Sequence, residues 1–189
     1  MTKLQTVLGL MSGTSLDGID VAAIETDGEN IIRSLGQLYV PYDEEARGLL
    51  QAALEAAQNA KPSDWGSSDT WPEPVRHADL LVSEAHIGAI ARFRAKHDVA
   101  FTLVGFHGQT VLHQPEAGIT VQIGDPQLLA RATDCAVVGQ FRLADIANGG
   151  QGAPLAPLFH AARAKSQSES LGVLNIGGVA NITLLDEGG

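Results

Sequence analysis

GLMSGTSLDGIDVAAIE, residues 9–25, is the stretch that decides the fold. Thr6 to Met11 is an apolar run, and Ile19 to Ile24 is a second one, rich in β-branched residues and free of proline. Between them Ser12 to Gly18 contributes two glycines, two serines, a threonine and an aspartate. The pattern predicts strand, tight polar turn, strand. Glycine tolerates positive φ, so such a turn can gather several backbone N–H groups into a small concavity. With hydroxyls added, that concavity suits a phosphate. A hairpin whose turn is polar only because turns are polar is the plainer reading, and this stretch alone does not choose between them.

Composition narrows the function classes. At 189 residues and 44% hydrophobic, the chain can bury one good core or two small ones. A formal net charge of −10 argues against nucleic-acid or anionic-membrane partners, while leaving room for a local anion site. The single cysteine, Cys135, excludes an internal disulfide and suits a reducing cytosol. It precedes Ala136-Val137-Val138 and reads as a buried structural thiol. No run approaches the ~18 apolar residues of a membrane span. The N-terminal run is short, lacks a small-residue cleavage site and does not read as a signal peptide.

Further along, Ile31 to Val40 predicts a third strand after a turn at Asp27-Gly28, giving three consecutive antiparallel strands. Asp43 is placed to cap a helix with Leu49, Leu50, Ala53, Leu54 and Ala57 on its apolar face. Lys61 to Pro74 reads as an irregular connection, with Trp65 and Trp71 as a less favoured cleft rim. Val75 to His97 predicts the longest helix, with a stripe of Leu80, Leu81, Ala85, Ile87, Gly88, Ile90, Ala91 and Phe93. Its histidines show no metal-ligand spacing, and His77 and His97 read as solvated helix ends.

Phe101 to Phe106 predicts a buried strand ending at the polar cluster His107-Gly108-Gln109-Thr110, where open α/β sheets place ligands. Val111 to His113 and Ile119 to Ile123 predict a hairpin. Asp125 predicts a cap for a helix to about Thr133, and Cys135 to Val138 a short strand. In FRLADIANGGQGAPLAP, residues 141–157, Asp145 precedes a loop holding Gly149, Gly150 and Gly152, and Pro154 is expected to open a helix through Arg163. Glycines feeding a helix N-terminus suit close approach to an anion, although a flexible interdomain loop carrying an acid is the plainer alternative. Gly172 to Ile176 and Val179 to Leu185, joined by Gly177-Gly178, repeat the strand, glycine-rich turn, strand design of the opening hairpin. No GxxxxGK[ST] element and no GxGxxG after the first strand exists, so Walker-type and dinucleotide folds are unsupported.

Four strings, in this order, resemble the anhydro-N-acetylmuramic acid kinase family of the actin, hexokinase and Hsp70-like superfamily. They are MSGTSLDGID at Met11 to Asp20, GFHGQTVLHQP at Gly105 to Pro115, FRLADIANGGQGAPLAP at Phe141 to Pro157, and NIGGVANIT at Asn175 to Thr183. The resemblance implies an α/β, actin-like ATPase (ribonuclease H-like) domain with a mixed sheet over residues 1–140. It further implies that residues 141–189 are the interdomain connection and the start of a second, similar domain. It implies ATP and Mg²⁺ as cofactors and 1,6-anhydro-N-acetylmuramic acid as substrate, opened by water and phosphorylated to the 6-phosphate during cell-wall recycling in the bacterial cytoplasm. A homodimer stays open.

By the same resemblance, Gly13, Thr14, Ser15, Leu16, Asp17, Gly18, Ile19 and Asp20 would hold ATP phosphates, with Gly177 and Gly178 in the second hairpin. Asp17 or Asp20 would sit near the metal, directly or through water; no protein cluster is expected to hold a metal by itself. Asp145 would be the general base, and His107, Gln109 and Thr110 would contact the sugar. The family's chain is about twice as long. The alternative is therefore a catalytically incomplete N-terminal fragment acting only as a nucleotide- or sugar-binding half-module.

Overall fold

The first three apolar runs are antiparallel neighbours: β1 (Gln5–Ser12), β2 (Gly18–Thr26) and β3 (Ile32–Pro41). Alternation sends Leu8 and Leu10 of β1 and Ile19, Val21 and Ala23 of β2 to one buried face. Asp27 fixes the turn before β3, its Oδ1 accepting from the N–H groups of Glu29, Asn30 and Ile31. This computed structural model describes residues 3–164, 169–176 and 180–186.

Helix α1 (Glu44–Asn59) starts at Asp43, whose carboxylate accepts from the Ala46 N–H at 2.8 Å, and buries Leu50, Ala53 and Ala57. The connection after it is not irregular. Two 3-10 turns, Pro62–Trp65 and Ser68–Thr70, are closed by Asp64, Ser67 and Thr70 hydrogen bonds, because short polar side chains satisfy local N–H groups. Helix α2 spans Glu73–Lys96, and its buried face is Val75, Ala78, Val82, Ser83, His86, Ala89, Ile90 and Phe93. The expected stripe is thus rotated: only Ile90 and Phe93 of it are buried, and Leu80 is 51% exposed. Two polar residues were admitted to the core side because each is locally satisfied. Ser83 Oγ donates to Asp79 O, and His86 Nδ1 pairs with Val82 O. His97 is not a solvated end either: its ring stacks on Phe93 and its Nε2 lies 3.1 Å from Gln37 O. His77 is exposed, beside Glu73.

Strand β4 (Leu103–Gln114) runs straight through the cluster expected to end it. Its first half is parallel to β1 and to β6 (Ala136–Val138); its second half is antiparallel to β5 (Ile119–Ile123). The sheet order is β3-β2-β1-β4-β5, with β6 sharing the outer edge of β4. Helices α1, α2 and α3 (Pro126–Thr133, capped by Asp125) build the core with one face of this sheet, where Leu50, Val82 and Phe93 join Leu8, Val104 and Phe106 in a single cluster. This mixed α/β sheet is of the actin-like ATPase type expected above.

Beyond β6 come α4 (Leu143–Ala147) and α5 (Ala156–Ala164). Asp145 lies within a short helix and, as expected, precedes the loop holding Gly149, Gly150 and Gly152, whereas Pro154 precedes α5 instead of opening it. A separate antiparallel pair, β7 (Leu171–Ile176) and β8 (Ala180–Leu185), follows. Its turn residues Gly177 and Gly178 lie outside the described residues.

Candidate active site

The turn between β1 and β2 presents Thr14, Ser15 and Asp17 to solvent, with Gly13 and Leu16 half-exposed. Leu16 carries a positive φ of 55°, and its N–H donates to Gly13 O at 3.2 Å. The Ser15 hydroxyl donates to Asp17 and holds its carboxyl below the usual range. Gly18 and Ile19 are buried, with the Ile19 side chain in the core, while Asp20 is exposed on β2. The turn thus offers hydroxyls, exposed carboxylates and a left-handed kink at its tip, and its two buried residues anchor it.

Two irregularities in β4 create the rest of the site. Against β1, Leu10 pairs with Phe106 and Ser12 with Gln109, so β4 carries one extra residue there. Against β5, Thr110 pairs with Gln122 and Leu112 with Val121, so Val111 is a second extra residue. The period of two is broken twice. Phe106, Gln109 and Leu112 go to the core side, and His107, Thr110 and His113 emerge at intervals of three on the face away from the helices. Gly108 makes the first irregularity feasible: its φ is 67°, and a Cβ there would stand 2.3 Å from Ile123 O.

Gln109 does not emerge with its neighbours. It is fully buried; its amide donates to Thr110 O and its Oε1 accepts from Ser12 Oγ, which in turn accepts from the Tyr42 hydroxyl at 3.1 Å. It ties β4 to the foot of the turn between β1 and β2. His107 is tied to Asp145 instead. Arg142 Nη2 donates to His107 Nε2 at 2.9 Å, and Arg142 Nη1 donates to Gly152 O at 2.7 Å. The Gly152 N–H donates to Asp145 Oδ2 at 2.6 Å. Because guanidinium can only donate, His107 carries its proton on Nδ1, which faces Gly108 O at 2.9 Å. Burial, and then the Arg142 charge, lower the His107 pKa and keep the ring neutral.

Asp145 is exposed, and among the described residues its Oδ1 accepts no hydrogen bond. The Gly150 N–H donates to the Asp145 carbonyl at 2.8 Å, and a Cβ on Gly150 would lie 2.3 Å from the carboxylate. The glycine-rich loop therefore wraps the acid itself. One carboxylate oxygen is fixed by a backbone donor, and the other is open to a proton.

Several residues here escaped the sequence reading. Arg142 is the hub, and its only signal was a cation three residues before the acid. Thr120 and Gln122 complete a polar floor: Gln122 Nε2 donates to Thr120 Oγ1 at 2.8 Å and to Thr110 Oγ1 at 3.4 Å, and His113 Nδ1 lies 3.0 Å from Thr120 Oγ1. Among the described residues no group of three His, Cys, Asp or Glu side chains could hold a metal, and no helix is long and apolar enough to cross a membrane.

Comparison with known proteins gives the family. The family model for anhydro-N-acetylmuramic acid kinase matches residues 5–189. Relatives bearing that name include one from Rhodopseudomonas palustris (strain BisB18), 49% identical over 188 residues, which covers 96% of this chain and 50% of the relative. Another, from Acidiphilium cryptum (strain JF-5), is 49% identical over 178 residues, 94% of this chain and 46% of the relative. A third, from Agrobacterium fabrum (strain C58 / ATCC 33970), is 41% identical over 201 residues, 100% of this chain and 51% of the relative. The chain spans about half the length of the curated relatives it matches. By its family match across both the β1–β2 turn and the Asp145 loop, the chain belongs to the anhydro-N-acetylmuramic acid kinase family.

Proposed function

We propose that this chain supplies the catalytic base and the first phosphate turn of an ATP-dependent kinase. The kinase opens 1,6-anhydro-N-acetylmuramic acid with water and phosphorylates it to N-acetylmuramic acid 6-phosphate. The observation that carries the reading is the Asp145 carboxylate, held through Oδ2 by the Gly152 N–H with Oδ1 accepting no hydrogen bond among the described residues, on a network leading to His107. Residues 1–140 would form the first domain, and 141–189 would lead into the second.

Exposed Thr14 and Ser15, with the kinked backbone at Leu16, fit phosphate oxygens, and Asp17 or Asp20 fits a place near Mg²⁺. Bound MgATP would supply the γ-phosphoryl group and neutralise its charge. Asp145 Oδ1 would take a proton from water as the water oxygen bonds to the sugar's anomeric carbon. The bond from that carbon to the 6-oxygen breaks, and the freed 6-oxygen accepts the phosphoryl group. His107 and Thr110 would face the sugar, and Arg142 would keep His107 neutral and oriented. Gly177 and Gly178 would serve the second phosphate turn. A cytoplasmic location fits the lone buried thiol of Cys135.

The test is product identity. The full-length protein, incubated with ATP, Mg²⁺ and the anhydro sugar, is expected to give a 6-phosphate by phosphorus NMR. Phosphate on another oxygen, or ATP hydrolysis with intact anhydro sugar, would overturn the reading.

A further inference from the structure

Beneath the turn between β1 and β2 runs a chain of hydrogen bonds whose members take no part in the steps above. The Tyr42 hydroxyl donates to Ser12 Oγ at 3.1 Å, Ser12 Oγ donates to Gln109 Oε1, and Gln109 Nε2 donates to Thr110 O at 3.1 Å. Every direction is forced. Thr110 O can only accept, so the Gln109 amide turns Nε2 to it and Oε1 to Ser12. The Ser12 proton then goes to Gln109, which leaves a lone pair for Tyr42. Burial raises the Tyr42 pKa, so its hydroxyl stays a donor. Ser12 is 1% exposed and Gln109 0%, so bulk water does not compete for these groups.

The chain joins α1, β1 and β4 where the proposed site is assembled. Tyr42 leads into α1 and grips the turn at both ends: its hydroxyl holds Ser12, and its N–H donates to Asp17 O at 3.0 Å. Ser12 ends β1 and is the register partner of Gln109 across the first irregularity of β4. Gln109 lies between His107 and Thr110, the residues given above to the sugar, whereas Thr14 and Ser15 are given to the phosphates. A fully satisfied buried network is rigid and specifies one arrangement. We propose that Tyr42, Ser12 and Gln109 are positioning residues that fix the register between the phosphate-holding turn and the sugar-holding face of β4. The proposal rests on the functional reading above and deepens it: one hydrogen-bonded chain aligns the phosphoryl donor with its acceptor.

The test compares full-length wild type, Tyr42→Phe, Ser12→Ala and the double variant for kcat, both KM values and the thermal midpoint. Tyr42→Phe keeps the ring and removes only the first donor. A misplacement of about 1 Å can cost ~10²-fold in rate, so a partial loss of register should lower kcat ~10-fold with both KM values near wild type. Ser12→Ala breaks the chain in its middle and should lower kcat at least as far. Adding Tyr42→Phe to it should cost nothing more, as for members of one network. A second readout needs no turnover. In amide NMR of the 189-residue chain, Tyr42→Phe should shift Thr14, Ser15 and Leu16 and also Gln109 and Thr110. Wild-type kcat in Tyr42→Phe, measured well below its thermal midpoint, overturns the proposal and leaves the kinase reading standing. Additive losses, a raised KM for ATP with kcat unchanged, or amide shifts confined to α1 do the same. A full-length wild type that yields no 6-phosphate overturns the kinase reading and this proposal together. Tyr42→Phe and the NMR comparison decide the matter even where Ser12→Ala does not fold.

Discussion

The acid at 145 is positioned by what surrounds it more than by its own short helix. Gly152 fixes one oxygen and Gly150 leaves the space the carboxylate fills. Gly150→Ala would drive a methyl into that space, since the contact would be 2.3 Å. A misplacement of about 1 Å can cost ~10²-fold in rate, so kcat of the full-length variant should fall by about that factor. Its thermal midpoint should move little, because the loop is at the surface. Wild-type kcat would show that the loop does not position the acid. His107 was legible as a polar residue at a strand, but its partner was not. Nothing in periodicity announces that Arg142 donates to it, because that contact joins residues 35 positions apart in the chain. Gln109 shows the converse. It sits in the same polar string, yet the first irregularity turns it to the core side, where Ser12 satisfies it.

Among the elements, strands with one buried face were read well, since alternation in β1 and β2 names the face directly. Helix starts marked by Asp43 and Asp125 were equally clear. Asp43→Ala should cost ~1 kcal/mol. For a chain of this size that lowers the thermal midpoint by ~2–4 °C, which calorimetry can check. Helix α2 was misread because its core side includes His86 and Ser83, residues that hydropathy assigns to solvent. His86 gives a pH prediction. Burial, chiefly, lowers its pKa to about 4 from an ordinary value of 6.5. The unfolded chain then binds a proton at a higher pH than the folded one. Stability from the neutral ring is therefore complete above ~pH 6.5 and is lost as pH falls toward about 4, by up to ~3 kcal/mol. Urea midpoints between pH 7 and 4 should fall in the wild type and fall less in His86→Leu; equal slopes would remove His86 from the acid response.

At the scale of the whole molecule, β7 and β8 stand apart from the main sheet with Leu174, Ile176, Ile182 and Leu184 between 59 and 75% exposed. Apolar surface of that extent marks a face made to be covered. The strand-turn-strand repeat was legible in the sequence, but what covers it was not, because covering partners leave no periodicity of their own. Closure around ATP needs two domains that exclude water, so the 189 residues alone should turn over the anhydro sugar poorly. Robust phosphorylation by the isolated chain in a coupled ADP assay would refute this. The central claim is that the free oxygen of Asp145 activates water in the complete kinase. The direct measurement is kcat of full-length Asp145→Asn, paired with titrations of ATP and sugar. Asparagine keeps the size and the acceptor for Gly152 while removing the base. The predicted result is kcat lower by ~10²–10⁴-fold with both affinities near wild type; unchanged kcat would contradict the account and place the base outside this chain.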